Sequence, residues 1–434
     1  MSETTARTKR ARSAALMQVL RGLMYCLFLL APAAQAADLP NAWVELAADG
    51  GLDVRAVTMP GAPCPKVLAD GSPLASGQRG SPDPTDGAYP IQVCVAHAAV
   101  TARGITVDGL PYPVLPRSIK RIVVIGDTGC RLKGDNVQDC NDPAQWPFAA
   151  IARLAAARHP DLVIHVGDYH YRESPCPAAR AGCAGSPYGD NWAVWRKDFF
   201  DPAAPLLAAA PWVLVRGNHE LCSRGGHGWF RLLDPHPDTV DCTATTAPYA
   251  LHLDPLQLLM FDGADADDGT ADAAKVALFH SQLQSLLTDA PAHSWLLTHR
   301  PVWALAQGSG AKPGDTLNAT EQAAIRDLAP PALDMVLSGH VHDFTSYDFG
   351  PGHPAQLVAG EGGDSNDAIT QPLAAGTVID GAKLRRGFGV GDYGYVLLHR
   401  TGEGWNGMVY SVTDRLLARC RLHGRAVTCH AVVQ

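Results

Sequence analysis

A layered α/β domain preceded by a small β-rich module is the fold class that this 434-residue sequence predicts. Three observations carry that expectation. From residue 121 onward, short and nearly continuous apolar runs recur, as expected of strands buried on both faces. Between them lie amphipathic stretches with apolar residues at helical spacing, and strands alternating with helices pack as layers about one core. Before residue 118 the pattern differs, with short alternating stretches broken by Gly, Pro and Asp clusters.

Residues 1–36 read as an export signal. Arg7, Lys9, Arg10, Arg12 and Arg21 precede an apolar run from Leu23 to Ala31, and Ala34, Gln35 and Ala36 form a small-residue cleavage site. The run is shorter than the ~20 residues of a spanning helix. The mature chain is therefore expected to start at Ala37, to be secreted or periplasmic, and to have no membrane contact once the signal is cleaved. A lipid anchor at Cys26 is disfavoured because Tyr25 stands where a small residue is needed.

Residues 37–118 form the β-rich module, with strand-like stretches at 42–46 and 91–95. The proline-containing stretch 110–116 reads as a stiff linker into the larger unit, residues 119–434. There the buried strands are expected at 121–125, 162–166, 212–215, 294–297 and 335–337, and helices at 147–159, 271–287 and 319–328. The tail from 393 to 433 returns to strand-like runs, with Cys420 and Cys429 placed to cross-link a hairpin.

Gly and Pro, at 42 and 33 residues, are abundant enough to imply long connections. Loss of residues 1–36 removes five basic residues and Glu3, leaving 30 Lys and Arg against 42 Asp and Glu, a net charge of minus 12. Such a surface repels nucleic acid and anionic membrane, so an anionic substrate must be drawn in locally by a metal or an arginine cluster. A small substrate fits that requirement. Ten cysteines remain beyond Cys26, an even number suited to disulfides in an oxidising compartment. Sequence alone leaves connectivity open, but near neighbours favour 64 with 94, 130 with 140, 176 with 183, 222 with 242 and 420 with 429. No Cys-x-x-Cys pair argues for a zinc-thiolate site.

Each buried run ends in residues able to bind metal, at the strand carboxyl ends where open α/β sheets place ligands. In order these are Gly126-Asp127-Thr128-Gly129, Gly167-Asp168-Tyr169-His170-Tyr171, Gly217-Asn218-His219-Glu220, Thr298-His299-Arg300-Pro301 and Gly339-His340-Val341-His342. One such cluster is weak, since an Asp after a strand is commonly a cap and a lone His commonly a satisfied core residue. Five in succession, each opening a turn, are not explained by chance.

This set resembles the calcineurin-like metallophosphoesterase superfamily and, within it, the purple acid phosphatases, over residues 119–365. Most of the superfamily has Asp-x-His as its first motif, whereas Gly129 occupies the His position here. Purple acid phosphatases share that loss and carry a Tyr three residues after the second Asp, here Tyr171. The later Gly360-Glu361-Gly362-Gly363 also resembles a loop of that family. The resemblance implies a four-layer α/β/β/α catalytic sandwich and two metal ions. Asp127, Tyr171 and His342 would hold one, Asn218, His299 and His340 the other, and Asp168 would bridge them.

Carboxylates, an amide oxygen and imidazoles suit iron, zinc and manganese. A phenol with an ordinary pKa of ~10 needs a strongly acidic cation to ionise near neutrality, which points to Fe(III) beside Tyr171 and Fe, Zn or Mn at the second position. The alternative for Tyr171 is aromatic packing against the site. Two adjacent metals can generate hydroxide from water and neutralise a phosphoryl group in an in-line displacement. The resemblance makes His219 a catalytic residue that stabilises the transition state; its alternative is a hydrogen bond to Asp168. Arg172, Arg216 and Arg300 are candidates to clamp phosphate. His170 and His227 are candidate general acids, because the residues after His299 contain no further His. Asp343-Phe344-Thr345-Ser346 stands where the family usually continues Tyr-Glu-Arg, which puts substrate class in question.

The expected activity is therefore hydrolysis of phosphate monoesters. Its rivals are a phosphodiesterase with the same centre and, in another class, a non-catalytic metal-binding or scaffold protein. Residues 308–312 are Gly-rich but lack Walker spacing, no Gly-x-Ser-x-Gly elbow is present, and Asn318-Ala319-Thr320 fits a glycosylation acceptor.

Overall fold

A computed structural model describes residues 42–80, 87–237, 241–307, 317–328, 333–369 and 373–432. The export signal and the Gly-rich 308–312 segment lie outside the described residues. Two large sheets dominate, and their central strands are the apolar runs read from sequence. The first has eleven strands, with Arg121–Ile125, Leu162–His165 and Trp212–Leu214 adjacent and parallel at its centre. The second has seven, and Ser294–Leu297 and Leu333–Ser338 lie parallel within it.

Alternation along these strands divides the core. Ile122, Val124, Leu162 and Ile164 point into one cluster with Leu297, Leu337 and Leu357 of the second sheet. Val123, Ile125 and Val163 point the other way, against Phe148, Ile151 and Leu206 from helices Phe148–Ala156 and Asp201–Leu207. On the far side of the second sheet, Leu296 and Val336 pack with Phe279 and Ile325 from helices Ala273–Thr288 and Ala319–Ile325. Apolar residues thus lie between the sheets and on both outer faces, as expected of an α/β fold with strands buried on both sides.

The amino-terminal strands extend the first sheet. Ala42–Leu46 runs parallel to Trp212–Leu214 with Glu45 opposite Trp212, and Leu52–Thr58 and Gln92–Ala98 continue outward from it. The stretch at 110–116 differs from a plain linker, because Leu110–Tyr112 pairs with Ile105–Val107. It is the edge strand of a four-stranded sheet, a position that tolerates Pro111. At the opposite end, four antiparallel strands from Gly394 to Ala431 pair onto Arg121–Ile125, and Cys420 sits directly opposite Cys429. All five disulfides follow the near-neighbour pattern, which marks a protein of an oxidising compartment. Among the described residues, no helix is long and apolar enough to cross a membrane.

Candidate metal centre

The first sheet supplies three of the five strand-end motifs and the second sheet two, so their loops meet where the carboxyl ends of both sheets converge. The backbone there is unusual. Asp127, Asp168 and His340 have φ of 56°, 61° and 72°, left-handed conformations that cost on the order of 1–3 kcal/mol each in a non-glycine residue. Surrounding bonds hold them in place. The Asp127 amide donates to Gly167 O (2.9 Å), the Thr128 amide to Asp168 O (3.0 Å) and the His340 amide to Asp127 Oδ2 (3.1 Å). Glu220, buried beneath the loops, accepts from four amides: Gly217 at 3.0 Å, Asp168 at 3.1 Å, Tyr169 at 2.8 Å and His170 at 3.1 Å.

The seven residues singled out as ligands gather in two groups that share Asp168. In the first, the Tyr171 hydroxyl lies 3.0 Å from Asp127 Oδ1, 2.9 Å from Asp168 Oδ2 and 3.1 Å from His342 Nε2. In the second, His299 Nε2 lies 3.1 Å from Asn218 Oδ1 and 3.2 Å from Asp168 Oδ2. One donor atom each from Asp168, His299 and His340 falls within 4.8 Å of the others. Two histidine rings are oriented from behind. His299 Nδ1 donates to Val166 O (2.8 Å) and His342 Nδ1 to Ser365 O (3.0 Å), which turns Nε2 of each ring toward the centre.

Gly129 explains why the first motif ends without a His. A Cβ on that residue would stand 2.6 Å from Tyr169 O and 2.9 Å from the Tyr171 ring. The tyrosine occupies the space that a side chain at 129 would need.

His219 lines a cavity of about 270 Å³ together with Asn218, His340, His342, Arg131 and Asp268. Its Nδ1 lies 2.7 Å from Glu173 Oε1, 3.1 Å from His170 O and 2.7 Å from Arg224 Nη2. Its Nε2 lies 2.7 Å from Arg224 Nη2 and 3.8 Å from Asp168 Oδ2. The hydrogen bond between His219 and Asp168 runs instead from the His219 amide to Asp168 Oδ1, at 2.8 Å.

The other candidates fare unequally. Arg172 and Arg216 face the interior: Arg172 pairs with Asp198 at 2.5 Å and Arg216 with Asp262 at 3.2 Å, so neither reaches the cavity. Arg300 approaches the centre, with Nη1 2.6 Å from Asp268 Oδ2 and 3.0 Å from His340 Nε2. His170 is buried with Nε2 bound to Gly189 O, and His227 is exposed with its amide on Asp190; neither lines the cavity. Asn318 cannot carry a glycan, because its fully buried side chain caps the helix at Glu321 and donates to Arg300 O.

Burial and crowded carboxylates shape the electrostatics. Burial, with the Asp127 and Asp168 carboxylates, pushes the Tyr171 phenol well above its ordinary range. For His299 and His342 burial opposes protonation, but Asp168 beside the first and Asp364 and Asp127 beside the second outweigh it, to about 9 and about 10. Such imidazoles give up protons when a cation takes their place between the carboxylates. Burial draws His219 down to about 3, so its ring is neutral.

Several residues at the site gave no signal in the motif reading. Glu173 pairs with His219 and Arg224; Asp364 pairs with Arg131 and approaches His342 Nδ1 at 3.4 Å; Asp268 pairs with Arg300 and approaches His340 Nε2 at 3.3 Å. All depend on contacts between distant loops. Glu220 did stand in a motif, and its fixed place after Gly217, Asn218 and His219 was the available clue.

The sequence profile of the calcineurin-like phosphoesterases matches residues 120–344, more than half of the chain. No curated protein matches at a significant level. Among solved structures, one titled "Structure of PhoD" is similar with a TM-score of 0.55 at 13% identity, covering 91% of this chain and 92% of that one. A purple acid phosphatase from seeds of yellow lupin (Lupinus luteus) is similar with a TM-score of 0.53 at 13% identity, covering 90% and 74%. At that identity the structural likeness establishes the fold alone. Taken with strand-end motifs that meet across two sheets, the profile match shows that this chain belongs to the calcineurin-like phosphoesterase family of metal-dependent phosphoester hydrolases.

Proposed function

We propose that this chain is an exported phosphomonoesterase, secreted or periplasmic, with a dinuclear centre of the purple acid phosphatase type. Asp127, Tyr171 and His342 would hold one cation, Asn218, His299 and His340 the other, and Asp168 would serve both. The observation that carries the reading is Tyr171, whose hydroxyl is within hydrogen-bond distance of Asp127, Asp168 and His342 and whose ring packs against Gly129.

The donor chemistry fits two different cations. Two carboxylates and a phenol make the first group hard and anionic, which suits Fe(III), while one amide oxygen, two imidazoles and a shared carboxylate suit divalent Fe, Zn or Mn. When bound, the pair lowers the pKa of water and neutralises phosphoryl oxygens during in-line displacement.

The chain's own residues do the rest. Val166 O and Ser365 O fix the tautomers of His299 and His342. Glu173 and Arg224 hold the His219 ring at the cavity wall, where His219 and Arg131 would face the phosphoryl oxygens. A cavity of about 270 Å³ limits the ester to a small molecule.

Hydrolysis of an aryl phosphate monoester against the matching diester by metal-loaded mature protein, with metal content measured on the same sample, tests the reading. Monoester preference with two metals supports it. Diester preference would retain the ligand set and make the protein a phosphodiesterase. Two bound metals with neither ester turned over would leave it a metal-binding protein without this activity.

A further inference from the structure

We propose that Asp198, which belongs to none of the strand-end motifs, is the positioning residue that sets where the Tyr171 phenol stands. The inference rests on the proposed role of Tyr171 as a ligand. Asp198 lies in a π-helical turn, Arg196–Phe200, between helices Trp192–Trp195 and Asp201–Leu207. Such turns are rare and recur at functional sites. Around it stand Trp195, Phe199 and Phe200, and Asp198 itself is fully buried.

An acid in that setting needs partners, and its partners come from the two loops that carry the centre. Oδ1 accepts from the Cys130 amide (3.2 Å) and from Arg172 Nε (2.5 Å). Oδ2 accepts from the Tyr171 amide (2.9 Å) and the Arg172 amide (3.2 Å). One carboxylate thus ties the loop after Asp127 to the loop after Asp168. The Leu132 amide, bonded to Tyr171 O at 3.0 Å, adds a second tie between the same loops. From its anchored amide, the Tyr171 ring runs past Gly129 and against His219, with ring centroids 3.7 Å apart, to the hydroxyl at the centre.

A plain buried ion pair accounts for this poorly. A pair built to neutralise two charges would be bidentate, but Arg172 gives only Nε to Asp198, sends Nη1 to Ser186 Oγ at 2.7 Å and leaves Nη2 without a partner. The carboxylate instead spends the rest of its acceptor capacity on three amides. Asparagine cannot copy that arrangement, because either orientation of its amide puts an NH2 group against two N–H donors.

The test compares wild type, Asp198→Asn and Arg172→Met as full mature chains loaded with ferric iron. The first readout is the visible phenolate-to-iron absorption band; the second is hydrogen exchange of residues 128–132 and 169–174. In Asp198→Asn the band should move and exchange in both segments should quicken by roughly tenfold, as for a lost hydrogen bond. In Arg172→Met the carboxylate keeps its amide donors, so thermal stability should fall while the band stays. An Asp198→Asn band at the wild-type wavelength overturns the proposal. So does an Arg172→Met band displaced from the wild-type wavelength, which would make the ion pair responsible, and this arm decides the matter if Asp198→Asn does not fold. Absence of the band from iron-loaded wild type overturns the Tyr171 reading itself, and this proposal with it.

Discussion

Glu173 Oε1 stands 2.7 Å from His219 Nδ1, a carboxylate and an imidazole paired at the wall of the cavity. Arg224 bonds the same carboxylate oxygen, so Glu173 remains ionised: although burial works against it, His219 and Arg224 draw its pKa down to about 2. Together with Arg224, the pair fixes the ring plane of His219. Glu173→Gln replaces an acceptor by an amide that can turn a donor toward Nδ1. Turnover should fall by roughly 10- to 100-fold, less than the ~100- to 1000-fold expected for deleting a transition-state donor outright, with both metals retained. Unchanged turnover would mean that His219 needs no orienting partner.

Asn218 and His219 are neighbours with different assigned tasks, and their alanine variants should separate them. Asn218 Oδ1 faces His299 Nε2 at 3.1 Å within the second ligand group, so Asn218→Ala should lose one metal per chain and, with it, activity. His219→Ala should keep two metals and lose turnover alone. Metal analysis after gel filtration decides the point, and equal metal content in the two variants would contradict the assignment.

Much of this architecture was legible because strand burial and strand termination are local properties. The runs at 121–125 and 294–297 contain no charge once past their first residue, and each is followed within two residues by Asp127 or His299. What was not legible is what side chains do across loops. Arg172 and Arg216 sit at motif edges like phosphate clamps, but Asp198 and Asp262, 26 and 46 residues away in sequence, draw them inward. Glu173 lies five residues beyond Asp168 in no recognisable pattern, and it matters only because the chain returns His219 to it. At 110–116, proline suggested a linker; the pairing of Leu110–Tyr112 could not be anticipated without knowing that the strand sits at an edge.

Two disulfides should prove different in kind. Cys130–Cys140 closes the segment that leaves Gly129, and the Cys130 amide is bonded to Asp198, so this bridge steadies the loop carrying Asp127. Cys420–Cys429 crosses two paired strands at the far end of the first sheet. Replacing the first pair by serine should speed metal loss to a chelator by about tenfold, in the range for disturbed support of a metal ligand. Replacing the second should lower stability by about 2–3 kcal/mol and leave metal loss unchanged. Identical chelation kinetics in both variants would show that the bridge at 130 has no special tie to the centre.

Glu321, which is not among the proposed ligands, offers a pH dependence, with His299 among the groups that favour its charged form. It is fully buried on helix Ala319–Ile325, its Oε1 accepts from Thr298 Oγ1 at 3.0 Å, and its Oε2 has no partner. Burial raises its pKa from 4.5 to about 7, although Asn318, Thr298 and Arg300 favour the charged form. Because the folded-state value lies above the unfolded one, the contribution to stability is complete below about pH 4.5 and is lost as pH rises through about 7. The loss amounts to roughly 3 kcal/mol at ~1.4 kcal/mol per unit. Glu321→Gln keeps the shape and the hydroxyl contact but cannot ionise. Its unfolding free energy should therefore fall less steeply than that of wild type between pH 4.5 and 7, and should exceed the wild-type value at pH 8. Parallel denaturation curves for the two proteins across that window would mean that Glu321 ionises in the folded state as readily as in water.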